Sequence, residues 1–162
     1  MIKRPLEIYR LMIRAVFATN GSQRIANDSA AHAAILIEEI VGHAWRSIDV
    51  VCHSLSMDVW GLPSVRQAVE RAIRERRVRV RIVVTDQRMC LENVAYYRAI
   101  GATVQIFPRP DFCVNFLIAD GRYFRVEPDC SARKGFAYVN KPDWAAELAA
   151  DFDKIYGLAQ SA

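Results

Sequence analysis

The sequence predicts an α/β protein: a mixed, largely parallel sheet sandwiched by helices. Two observations carry this. Through the first two thirds of the chain, short apolar runs of strand length alternate with amphipathic helical stretches, the pattern of strand–helix–strand units. Then Cys113 to Asp129, CVNFLIADGRYFRVEPD, reads as two strands joined at Asp120-Gly121. Asp-Gly suits the positive φ that a tight hairpin turn requires. One more strand and a closing helix follow.

In order along the chain, Ile8 to Ala18 mixes β-branched, aromatic and charged residues and reads as either a strand or a short helix. Asn20-Gly21-Ser22 is a turn. Asn27, Asp28 and Ser29 are good N-cap residues, and a helix is expected from there to about Trp45, with Ala33, Ile37, Ile40, Val41 and Ala44 on one face. Ile48 to Cys52 is a nearly continuous apolar run, as in a strand covered on both sides. His53, Ser54 and Ser56 leave its C-terminal end in a loop. Pro63 suits the first turn of the next helix, which should run to about Arg76 with Val65, Ala68, Val69, Ala72 and Ile73 inward. Val78 to Val84 is a strand, Leu91 to Ile100 a helix stopped by Gly101, and Thr103 to Phe107 a strand ended by Pro108 and Pro110. In the hairpin, a two-residue turn would set Ala119 against Arg122 and Asn115 against Val126. Side chains alternate along a strand, so that register puts Asn115 on the opposite face from Arg125 and Glu127. Only a longer turn or a bulge would gather all three in one pocket. Gly135 to Val139 is the last strand, and Pro142 opens a final helix with Trp144, Leu148, Phe152 and Ile155 inward.

At 162 residues the chain is expected to be one domain, 1–162, with 1–28 as an N-terminal extension or edge element and 29–159 as the core. The hydrophobic fraction of 52% and charged fraction of 25% are ordinary for a soluble globular protein. A net charge of +4 suits a phosphate-bearing partner but falls short of the concentrated patch of a dedicated DNA-binding domain. No apolar run approaches the roughly 20 residues needed to cross a bilayer, which argues against membrane insertion. The start, MIKRPLEIYRLMIRAVF, is interrupted by Glu7, Arg10 and Arg14 and lacks a cleavage pattern, so it does not read as a signal peptide, and a cytoplasmic location is expected. The four cysteines, Cys52, Cys90, Cys113 and Cys130, are scattered without a C-x-x-C pair. They read as reduced, mostly buried thiols, with no metal site and no cofactor expected.

Several local sequences, in this order, resemble the phospholipase D-like superfamily. They are the strand SIDVVC, then VWGLPSVRQAVERAIRERRVRVRIVVTD closing on Asp86, YYRAIGATVQIF, VNFLIADGR, and the tail NKPDWAAELAADFDKIY, together covering roughly Ala30 to Ala159. The resemblance implies that superfamily's fold. Its members carry H-x-K-x4-D on the strand entering the hairpin, where the His attacks phosphorus and the Lys holds a phosphoryl oxygen. Here Asp120 fits the Asp position, which places Cys113 where the His should be and Asn115 where the Lys should be. The usual GS-x-N after the turn is also absent. The resemblance is to the fold, with the catalytic motif missing. It further implies a homodimer, because half-length members pair around a two-fold axis. Cys113 and Asn115 of both chains would then lie near the dyad, where the Asn115 amide could meet its symmetry mate.

Two function classes follow. The first is a catalytically degenerate phospholipase D-like domain acting as a binding, scaffolding or regulatory module. The second is a phosphodiesterase or nuclease with an atypical site drawn from His53, Cys113, Asn115 and Asp120 with Arg125 and Glu127. His53 lies just past a strand's C-terminal end, where α/β sheets place ligands. Loss of both motif residues favours the first class. Cys113 as a nucleophile would need a neighbour that lowers its pKa, and none is identifiable, so it reads as a buried unreactive cysteine. Arg125 and Glu127 either form an ion pair on a solvated sheet edge or line a polar ligand pocket with Asp129 and Lys134. Arg77, Arg79 and Arg81 close the densest basic run and are the candidate surface for nucleic-acid phosphates. Glu70 and Glu75 dilute that run, and it holds no aromatics for base stacking. The partners to expect are a second copy, nucleic acid or another phosphate-bearing ligand, or a protein.

Overall fold

A computed structural model describes residues 4–86 and 90–162. Its helices are α1 (Pro5–Thr19), α2 (Ala30–His43), α3 (Pro63–Arg76), α4 (Leu91–Ala99) and α5 (Pro142–Ser161). Its strands are β1 (Ile25–Asn27), β2 (Ser47–Cys52), β3 (Arg79–Val84), β4 (Thr103–Ile106), β5 (Asn115–Ala119), β6 (Tyr123–Asp129) and β7 (Lys134–Tyr138). They form one seven-stranded sheet in the order β1-β7-β6-β5-β2-β3-β4.

The sheet is mixed, but it is not largely parallel. β2, β3 and β4 run parallel. β5 is antiparallel to β2, and β6, β7 and β1 continue antiparallel, so four of the six pairings are antiparallel. The cause is the connections. Parallel neighbours need a crossover, which α3 and α4 supply, whereas the segments after β5 return through short turns.

The stretch that reads as strand or helix near the N-terminus is α1. Pro5 occupies its first turn, and Glu7 turns back to accept the Arg4 backbone N–H at 3.1 Å. Its inner face buries Ile13 and Val16, and Arg10 and Arg14 both reach Glu39 of α2, at 2.9 and 3.0 Å. With β1 on the sheet's edge, the residues before 29 contribute Ile13, Val16 and Ile25 to the main core. α2 begins where Ser29 Oγ accepts the His32 N–H at 3.1 Å.

Helices α1 to α4 cover one sheet face, where Ile37, Val50, Ile82 and Leu117 share a single buried cluster. α5 covers the other, seating Phe152 against Val51, Val83 and Phe116. Trp144, expected inward, is 38% exposed and lies on the rings of Phe136 and Tyr138, while Ala145 takes the buried position.

The hairpin turn is at Asp120-Gly121, with φ of 57° and 64°. Arg122 is an additional turn residue whose N–H donates to Ala119 C=O at 2.9 Å, so Ala119 faces Tyr123 and Asn115 faces Glu127. The turn is tied down from outside: the Asp120 carboxylate accepts the backbone N–H groups of Trp45 (2.9 Å), Arg46 (2.7 Å) and Ser47 (3.0 Å). Those bonds also explain why α2 stops at His43, since the chain beyond it turns to present its N–H groups to this carboxylate. Asp120→Ala should therefore lower unfolding stability by roughly 2–3 kcal/mol, the scale of lost charge-assisted hydrogen bonds. Urea unfolding checks this, and a change below about 0.5 kcal/mol would show that the turn holds without the carboxylate.

Candidate functional site

The C-terminal end of β2 and the N-terminal end of β5 meet β6 at a cavity of about 240 Å³, lined by His53, Ser54, Asn115, Arg125, Glu127 and Cys130 among others. The three-residue turn builds it. By lengthening the hairpin it brings Asn115 opposite Glu127, and side-chain alternation then puts Arg125 on the same face. The longer-turn alternative is the one realised.

A continuous polar chain of hydrogen bonds and one ion pair results. Asn115 Oδ1 accepts the His53 backbone N–H at 2.7 Å, and Asn115 Nδ2 donates to Glu127 Oε2 at 2.6 Å. Arg125 Nη2 lies 3.6 Å from the same Glu127 oxygen, and Arg125 Nε donates to Asn27 Oδ1 at 2.8 Å. Glu127 is 8% exposed, Arg125 6% and Asn27 1%. The solvated edge pair is thereby corrected to a buried one. Burial pushes the Arg125 pKa down, and the adjacent Glu127 carboxylate pulls it back. The Tyr9 hydroxyl donates to Ala26 C=O at 2.8 Å, and burial raises the pKa of its phenol. A buried pair of this kind resists removal of one partner, because the remaining charge is left without compensation.

Cys113 is joined to Cys130 by a disulfide, with Cα atoms 5.2 Å apart. That corrects the expectation of a reduced, buried cysteine at this position. The Cys130 N–H also donates to Cys113 C=O at 2.9 Å, so backbone and side chain together close the open end of the hairpin. Cys52 and Cys90 are free, and burial pushes the Cys52 thiol pKa up. The His53 ring lies at the cavity with Thr85 Oγ1 3.4 Å from Nδ1 and Asp86 Oδ2 3.6 Å from Nε2.

Other candidates lie elsewhere. Asp120 sits at the far end of β5 from Asn115, in the turn, with its carboxylate engaged by backbone N–H groups. Lys134 is exposed at the start of β7 and does not line the cavity. Asp129 is exposed too, and the Ser131 hydroxyl and N–H hold its carboxyl below its ordinary pKa. Arg77 and Arg79 are exposed, but Arg81 grips Asp49 through two bonds of 2.8 and 3.0 Å and lies over the rings of Phe152 and Tyr156. The Arg77, Arg79, Arg81 strip is therefore shortened: α5 crosses this face and covers the third member. Asn115 uses Oδ1 and one Nδ2 hydrogen within its own chain, which leaves a second N–H and a second lone pair.

Sequence reasoning missed Asn27, Cys130 and the Thr85-Asp86 support of His53. For Cys130 a signal existed, since Cys113 and Cys130 flank the Asp120-Gly121 turn at nearly equal distances. Asn27 reads only as a helix cap until β1 is known to be a strand.

Glu127→Ala should cost about 3–5 kcal/mol, because it strands a buried guanidinium, while Arg125→Met combined with Glu127→Leu should recover most of that loss. Denaturant unfolding of the single and double variants checks this. Strictly additive losses would contradict the coupling.

No family model matches the chain, and no curated protein matches it. Among solved structures it is similar to TrmBL2, an archaeal chromatin protein whose structure shows a novel mode of DNA binding. That likeness has a TM-score of 0.64 and 15% identity and covers 93% of this chain and 58% of that one. It is also similar to a phosphatidylserine synthase of Haemophilus influenzae Rd KW20, with a TM-score of 0.56 and 14% identity, covering 79% of this chain and 35% of that one. The chain thus spans less than two thirds of either neighbour. At these identities the likeness is one of fold.

Proposed function

We propose that this chain is a catalytically degenerate phospholipase D-like domain, a member of that superfamily that works as a binding module and pairs as a homodimer. One observation carries the reading. Where the superfamily has its nucleophile, this chain has a disulfide sulfur, and where it has its cation, an asparagine with both amide atoms hydrogen-bonded within the chain. Nucleophilic attack on phosphorus needs an available lone pair, and the transition state needs nearby positive charge. A disulfide sulfur is no thiolate, and Glu127 already engages the Arg125 guanidinium.

Nucleic acid is the ligand class to test first. The support is the basic balance of the chain, the exposed Arg77 and Arg79, and the fold likeness to a chromatin protein. The alternative, a phosphodiesterase with an atypical site, has one observation in its favour: His53 stands at the cavity with Asp86 beside it. Against it, the position of the superfamily's nucleophile holds a disulfide sulfur and that of its cation a neutral asparagine.

Purified protein should hydrolyse neither phosphodiester reporters, phospholipid nor single- or double-stranded nucleic acid. Turnover that disappears in His53→Ala would overturn the binding reading in favour of the enzyme. Binding to nucleic acid should be weak and sequence-independent and should fall with salt. Arg77→Ala with Arg79→Ala should reduce the slope of log affinity against log salt by about 2, at roughly 0.9 per phosphate contact. Affinity indifferent to salt would remove the basic surface from the account. Sedimentation should show a dimer at micromolar concentration, and a concentration-independent monomer would end the homodimer.

A further inference from the structure

The densest group of metal-ligating atoms among the described residues is His53, Cys113 and Cys130, whose ring nitrogen and two sulfurs all lie within 4.8 Å of one another. They come from three separate stretches of chain, the end of β2, the approach to β5 and the segment after β6. Each is held by bonds that do not involve sulfur. The Cys130 N–H donates to Cys113 C=O at 2.9 Å, and the His53 N–H donates to Asn115 Oδ1 at 2.7 Å. The three would therefore stay gathered if the sulfur–sulfur bond were opened.

We propose that the reduced protein holds a zinc-type divalent cation on His53, Cys113 and Cys130, and that this site and the Cys113–Cys130 disulfide are mutually exclusive states of the same cluster. Tetrahedral zinc, with bonds of about 2.3 Å to sulfur and about 2.0 Å to nitrogen, sets its ligand atoms roughly 3.6–3.8 Å apart. The two sulfurs, bonded to each other here, reach that spacing only after reduction lets the cysteine side chains rotate apart. A metal-bound imidazole usually hands its second nitrogen to a carboxylate or hydroxyl. His53 has one such partner at each ring nitrogen, Thr85 Oγ1 3.4 Å from Nδ1 and Asp86 Oδ2 3.6 Å from Nε2, so the nitrogen that takes the metal gives up its neighbour and the other keeps an outer partner. Three protein ligands leave the fourth position for water or an anion from the cavity, as in open zinc sites.

The interconversion balances with a dithiol reductant. The reductant passes two electrons and two protons to the disulfide, leaving two cysteine thiols and its own disulfide. Zn²⁺ then displaces both thiol protons to form two zinc–thiolate bonds, so uptake releases two protons. Oxidation reverses the sequence and expels the metal. A reducing compartment would favour the metal-bound state and an oxidising one the disulfide.

The test is equilibrium competition for Zn²⁺ against a chromophoric chelator, on wild-type protein kept in a non-thiol reductant and on the same protein oxidised, with circular dichroism confirming the fold of each sample. Reduced protein should take up one equivalent per chain and oxidised protein none. That comparison involves no substitution and survives any variant that fails to fold. Cys113→Ser and Cys130→Ser should weaken uptake by at least about a hundredfold, since loss of outer partners alone reaches ten- to hundredfold. Cys52→Ser combined with Cys90→Ser should leave uptake unchanged. Cobalt in place of zinc should give a thiolate-to-metal charge-transfer band only in the reduced protein. Folded, reduced protein that takes up no zinc, uptake that persists after oxidation, or uptake lost in the Cys52/Cys90 variant and kept in Cys113→Ser would each overturn the site.

Discussion

Because side chains alternate along a strand, the length of a hairpin turn decides which residues meet across it, and a slip of one residue sends every side chain of the returning strand to the other face. In this chain that choice is made at Arg122. Counted as the first residue of β6, it would leave Asn115 beside Val126 and send Arg125 and Glu127 to the side of α5. Counted as a third turn residue, it sets Asn115 against Glu127 and turns Arg125 toward Asn27. The cavity, its buried ion pair and the meeting of Cys113 with Cys130 all depend on this register. Asp120 supports it by gathering three backbone N–H groups from the connection between α2 and β2, which ties the hairpin tip to the neighbouring strand.

The consequence at the cavity is a largely paired polar network, in which Asn27 Nδ2 at the far end has no hydrogen-bond partner. Buried polar groups stabilise only when they are paired, and a charge left alone there is costly. Asn115 is well suited to this place because an amide both donates and accepts, and it joins a backbone N–H on one side to a carboxylate on the other. A lysine at this position could donate to Glu127 but could accept nothing from His53. The asparagine thus completes a structural chain that a lysine would leave open. The N-terminal segment takes part as well, since Asn27 on the edge strand receives Arg125, and Tyr9 of α1 bonds the neighbouring carbonyl of Ala26.

Much of this was legible in residues. The strand SIDVVC, the helix from Pro63 to Arg76 and the turn at Asp120-Gly121 follow from local patterns of apolarity and from residues with particular backbone preferences. The α/β class and the mixed sheet follow from their order. The hairpin made β5 and β6 legible as antiparallel, but the neighbour it pairs with was not, because tertiary packing settles that. Arg81 was misread for a similar reason: on the strand it alternates like Arg79, and only the placement of α5, with Asp153, Phe152 and Tyr156, decides that it is covered. Of the site, Asn115, Arg125, Glu127 and His53 were visible as candidates, but their assembly hinged on one turn residue that no local pattern distinguishes.

The register is therefore the point on which the account is most exposed. Backbone nuclear Overhauser contacts across β5 and β6 measure it directly. They should pair Ala119 with Tyr123, Leu117 with Arg125 and Asn115 with Glu127. Contacts pairing Ala119 with Arg122 and Asn115 with Val126 would contradict it, because the two-residue turn would move Arg125 and Glu127 to the other face and dissolve the cavity's polar chain.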